Sequence, residues 1–145
     1  MQRELRAYTE TVRHRSGTPD LLVVLADGNA VGPNARRSEI DGLELGEVFP
    51  VWIVGVPDPC VEAWLLADSG ALKDAFGQSP PSPIPTGSDG LKQYLKSYLE
   101  ESGEIVTQGG VEFADEIVAA MNLYRAGKNE STLKRFFDDL RAAMK

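Results

Sequence analysis

The chain is poor in the residues that most often announce a chemistry. Among its 145 residues there is one cysteine, Cys60, and one histidine, His14. A single cysteine forbids an intrachain disulfide and fits a reducing, cytoplasmic setting. A single histidine removes His-rich zinc sites and leaves Ser-His-Asp or Cys-His catalysis dependent on one residue of a charged segment. No apolar run approaches the ~20 residues that cross a bilayer, and Met1–Arg15 alternates charges without the apolar stretch of a secretory signal. No membrane partner is therefore expected. Neither a G-x-G-x-x-G fingerprint nor a P-loop is present. Positive charge is also scarce, with 15 Lys and Arg against 22 Asp and Glu, a net charge of −7. Phosphate backbones are held mainly by Lys and Arg, so the charge gives no support to nucleic acid as a partner. It leaves open an enzyme that reaches phosphates through metal ions held by carboxylates.

What is present is ordinary globular material: 42% hydrophobic and 26% charged residues. The length fits one domain over residues 1–145. Leu5, Tyr8 and Val12 share a helical stripe over 2–15, ending at Ser16-Gly17. Leu21–Ala26 is a continuous apolar run and reads as a strand buried on both faces, closed by Asp27-Gly28-Asn29. Residues 34–41 read as a short helix and Phe49–Val56 as a second buried strand. Asp58 reads as an N-cap with Pro59 in the first helical position, opening a helix through Asp68. A short helix over Ser69–Phe76 and a proline-rich loop over 78–88 follow, then a helix over Leu91–Glu101. Glu104–Thr107 is a candidate third strand. Val111–Ala126 reads as one helix with Gly127 just past its end, and Ser131 caps a last helix over Thr132–Met144. Strands separated by helices imply an α/β fold, a small parallel sheet with helices on both faces and a helix-rich C-terminal half. Two firm strands make a thin sheet, for which a third strand at 104–107, an upstream strand or a homodimer are the remedies.

In open α/β sheets ligands bind at the carboxyl ends of the strands. Both strands end in a carboxylate there, Asp27 and Asp58. Asn29 lies two residues past Asp27, and Glu62 lies four past Asp58, which on a helix would share one face. Asp27, Asn29, Asp58 and Glu62 are thus expected to converge on one rim. Clustered oxygens suit Mg²⁺ or Mn²⁺, with Asp27, Asp58 and Glu62 as the catalytic candidates. The competing reading gives Asp27 a turn, Asp58 a helix cap and Glu62 an arginine partner. Arg36 and Arg37 follow the Asp27 loop and either hold a phosphate or form a solvated face. Gly109-Gly110 opens a helix that could meet an anion, although Glu112 in its first turn opposes one. Cys60 reads as a small buried thiol rather than a nucleophile, Trp64 as core, and Asp68 as a helix stop. The basic residues of 125–141 alternate with acids, as on a solvated face.

Three stretches, LLVVLADGNAVGPNARRSEI, VPDPCVEAWLLAD and GGVEFADEIVAAMNLYRAG, together resemble an uncharacterised bacterial family of Toprim-like proteins. The shared pattern is a hydrophobic strand ending in D-x-N/D, a P-D-P-x-x-E-x-W-x-x-x-D block and a G-G-[IV]-E-[FY]-A-[DE] helix start. The resemblance implies a compact α/β fold around a parallel sheet. It also implies Mg²⁺ held by a glutamate after an early strand and by a D-x-D after a later one. Such domains serve topoisomerases, primases and nucleases, including phage-defence proteins, and so admit nucleic acid as a partner. Asp27 matches the first aspartate of D-x-D, and Asn29 stands at the second, where the ligand is neutral rather than charged. The family's glutamate would lie on a strand before the first helix, where this chain begins, so an N-terminally shortened domain is expected. The alternative is a scaffold or interaction protein that keeps the fold and has lost the metal chemistry.

Overall fold

A computed structural model describes residues 2–15 and 17–145. Ser16, expected to end the first helix, lies outside the described residues. The elements run α1 (Gln2–Arg13), β1 (Leu22–Leu25), α2 (Pro33–Asp41), β2 (Trp52–Gly55), α3 (Val61–Leu65), α4 (Ser69–Phe76), α5 (Ser88–Glu101), α6 (Ala114–Ala120), α7 (Leu123–Asn129) and α8 (Ser131–Ala143). The protein is mixed α/β, mostly helical, with one small parallel sheet.

β1 and β2 pair in parallel, with Leu22 opposite Trp52 and Leu25 opposite Gly55. Alternation sends Leu22, Val24, Trp52 and Val54 to one face. There they join Val12 of α1, Ile40 of α2, and Leu45 and Phe49 of the connecting loop. On the other face α8 crosses β2. Gly55 permits that approach: a Cβ there would lie 2.8 Å from Trp64 Cη2 and 3.0 Å from Phe136 Cδ2. Trp64 and Phe136 stack with ring centroids 5.2 Å apart, and the Trp64 indole N–H donates to Thr132 Oγ1 at 2.8 Å. Trp64 is core, as its spacing implies. A second cluster away from the sheet joins Leu65, Leu66, Leu72, Leu91, Leu95, Tyr98, Leu99 and Ile117. Each such side chain contributes roughly 1.5–3 kcal/mol by burial, so the helical half does not depend on the sheet for its core.

Helix cover on both faces of β2 agrees with the expectation, but β1 is less covered. Val23 is 42% and Leu25 55% exposed, so β1 is not buried on both faces. Leu22 and Ala26 donate to Val51 and Gly55 of the β2 side. The ladder alternation therefore turns the N–H and C=O groups of Val23 and Leu25 outward.

Three other expectations are corrected. Residues 104–107 form no strand; they are irregular, and Glu112 holds the end of this loop through Thr107 and Gln108. The single helix over 111–126 is broken into a 3₁₀ turn over Val111–Phe113, then α6 and α7. Met121 is extended, and Asn122 restarts the helix by accepting from the Arg125 N–H at 3.0 Å. Gly127 is consequently a buried residue inside α7, not a helix terminator; a Cβ there would meet Lys134 Cβ at 3.3 Å. Among the described residues no helix is long and apolar enough to cross a membrane.

Candidate functional site

The two strands deliver their chain ends side by side, and the pairing continues past them. The Gly28 N–H donates to Pro57 O and the Asn29 N–H to Pro59 O, both at 2.8 Å. Gly28 must be small here: a Cβ would sit 3.1 Å from Pro57 O and 3.3 Å from Asp58 Oδ1. Beside this seam opens a cavity of about 400 Å³ whose polar lining is Asp27, Asn29 and Arg36.

Asp27 is a positioned residue. Its Oδ1 accepts the Val61 N–H at 3.0 Å, so it caps the first turn of α3 across the seam. Its carbonyl accepts Arg36 Nε at 3.1 Å, and Arg36 also pairs with Glu39 at 2.6 Å. Asn29 is exposed and adopts a left-handed backbone, φ 44°, which asparagine tolerates better than most residues. Asp27 and Asn29 therefore come together as expected from the D-x-N spacing.

Asp58 and Glu62 do not join them on one helix face. The helix begins at Val61, with Cys60 extended before it, so Asp58 lies outside the helix and its i, i+4 relation to Glu62 is lost. The cap expected of Asp58 is supplied by Asp27. Asp58 lines a separate cavity of about 360 Å³ with Ser69, Asn129 and Glu130, although its Oδ1 backs onto Gly28. Glu62 is 6% exposed, and its Oε2 has no hydrogen-bond partner. It lies next to Cys60, itself fully buried. Burial first, and the Glu62 carboxyl second, push the Cys60 thiol up, so Cys60 is not a poised nucleophile.

Among the described residues no group of three or more His, Cys, Asp or Glu side chains could hold a metal ion. An all-protein cage is thus not built. Mg²⁺, however, commonly takes one or two carboxylates and completes its shell with water and substrate phosphate. Asp27, with Asn29 beside it in one cavity, fits that sparser donor set, and Asp58 lies behind Gly28 on the side of the other cavity. Arg36 adds a guanidinium, a natural partner for phosphate oxygens.

Two carboxylates read from the sequence as a helix stop, Asp68, and as a charge opposing an anion, Glu112, have structural roles whose partners lie elsewhere in the chain. Asp68 is 2% exposed; it caps α4 through the Gly70 N–H and accepts the Asn122 N–H at 2.9 Å. It also accepts Arg125 Nε and Nη2, both at 3.1 Å. Burial raises its pKa, but the Arg125 and Asn122 donors outweigh that and hold it below the ordinary range. Glu112 accepts from the N–H groups of Thr107, Gln108 and Gly110 at 2.6–2.8 Å. Against an opposing desolvation, these donors lower its pKa to about 2. The N–H groups of this turn are thus taken by Glu112, the residue expected to oppose an external anion there, and the G-G-x-E spacing is the signal. Compared with known proteins, the chain matches no family model, no curated protein and no solved structure.

Proposed function

We propose that the chain is a Toprim-like α/β domain whose strand-end cavity takes a phosphate-bearing ligand together with Mg²⁺ or Mn²⁺. The reaction class is phosphoryl transfer or nucleolytic cleavage. The observation that carries this reading is the meeting of Asp27, Asn29 and Arg36 around one cavity at the carboxyl ends of parallel strands. In this reading Asp27 and Asn29 hold the cation, which when bound polarises the phosphate and lowers the pKa of a water. Arg36, fixed by Asp27 O and Glu39, orients phosphate oxygens. Asp58 is the reserve carboxylate. Glu62 plays no part, because it is buried beside Cys60 rather than open to the cavity.

A second reading, a scaffold or interaction protein without chemistry, is favoured by a specific observation: one oxygen of Asp27 is already committed to the Val61 N–H. Thermal melts with and without Mn²⁺ separate the two. A site raises the melting temperature by mass action, by about 2.7 kcal/mol of stability at a hundredfold excess over Kd. The increment disappears in Asp27→Ala, whatever that variant's own stability. An equal increment in both proteins, or none in either, favours the scaffold.

A further inference from the structure

Adjacent arginines of α2 serve different cavities. Arg36 belongs to the strand-end site, whereas Arg37 lines a second opening of about 320 Å³ between α2 and the first turns of α8. We propose that this second opening is a binding site for a small organic phosphate, independent of the divalent site.

Two guanidiniums, one of them fixed in place, line this opening. Arg37 is a preset guanidinium: Nη1 donates to Val54 O at 3.3 Å and Nη2 to Asp139 Oδ2 at 2.6 Å. Its side chain is only 21% exposed. Three of its five N–H donors are not used by those bonds. Arg135 faces the same opening from α8, is exposed, and forms no ion pair among the described residues. Ser131, one turn before Arg135, and Asn34 add a hydroxyl and an amide. Among the described residues the only carboxylate bonded to either arginine is Asp139, on Arg37, so the two guanidiniums carry one positive charge beyond their bonded carboxylate; Glu130 bonds Thr132 of the same lining, not an arginine. That excess stands out in a chain of net charge −7. The helix end itself is not the attraction, since Glu130 already accepts the Thr132 N–H at 2.8 Å.

Planar forks such as guanidinium match phosphate oxygens in pairs, which lysine does not. Pro33, Val54 and Val56 supply apolar walls. The volume equals about ten water molecules' share of liquid, room for a phosphoryl group and a small apolar body. A phosphate monoester with such a body satisfies both linings, and inorganic phosphate satisfies only one.

The test is calorimetric titration of phenyl phosphate and of inorganic phosphate in EDTA at fixed ionic strength. The wild type is expected to bind phenyl phosphate at one site, more tightly than inorganic phosphate. Arg135→Ala, which removes an exposed side chain with no structural bond, weakens binding about tenfold or more. Asp27→Ala leaves it unchanged. No binding at millimolar ligand overturns the proposal, as does equal binding by wild type and Arg135→Ala. Loss in Arg36→Ala alone would move the anion to the strand-end cavity and overturn it too. In NMR spectra the Nε–H signals of Arg37 and Arg135 should shift together on titration; a shift confined to Arg36 counts against it.

Discussion

Glu62 is the residue whose surroundings least match its chemistry. A buried carboxyl oxygen without a partner costs about 1–3 kcal/mol relative to a satisfied one. Replacing it with an apolar residue of similar length removes that cost. Glu62→Met is therefore expected to raise stability by about 1 kcal/mol or more in chemical denaturation; a loss of similar size would mean that the carboxyl has a partner in solution. Neither Glu62 nor Asp58 could be placed from the sequence, for one physical reason. The spacing of four residues places two side chains on a common face only inside a helix, and the helix starts at Val61. Asp27 and Asn29 were legible because a two-residue offset beyond a strand end needs no helix to bring them together.

Loops and helix ends carry the charges whose roles only the structure discloses. Glu112 gathers three backbone N–H groups and pins the 107–110 turn to the start of the 3₁₀ segment. Its pKa is lowered to about 2 from an ordinary 4.5. The stability it contributes is fully present above the unfolded value and is lost as pH falls through the folded one. Glu112→Gln should thus flatten the fall in melting temperature between those two values, with little change in the pH trend above them; an identical acid limb in both proteins would contradict this. The break between α6 and α7 has the same origin. A stripe of Phe113, Ile117, Met121 and Tyr124 has helical spacing, but the Asn122 side chain caps a new helix. Asp68 takes the Asn122 N–H at the same place, so two side chains distant in sequence interrupt a pattern that periodicity alone would continue.

For the molecule as a whole, the thin sheet is the unusual feature. Among the described residues two strands stand where three or more are usual, and β1 presents Val23 and Leu25 and an outward row of backbone groups. The alternation of Leu21–Ala26 and Phe49–Val56 with helices made the parallel pairing legible. The exposure of β1 was not, because a continuous apolar run looks the same whether one face or both are covered. A second copy joined edge to edge through β1 would cover this strand. Light scattering should then report a concentration-dependent dimer that Val23→Lys abolishes, since a lysine on an edge strand opposes pairing. A monomer at every concentration would contradict that association.

Asn29 is decisive for the metal proposal, because it is neutral where the D-x-D of Toprim domains has its second aspartate. Mn²⁺ titration followed by electron paramagnetic resonance counts bound metal directly. Asn29→Asp adds a charged ligand, and Asn29→Gly removes the side chain; both tolerate the left-handed backbone. Measurable binding is expected in the wild type, with about tenfold tighter binding in Asn29→Asp and loss in Asn29→Gly. Indistinguishable Mn²⁺ binding by all three proteins, or none in any of them, would contradict the metal proposal.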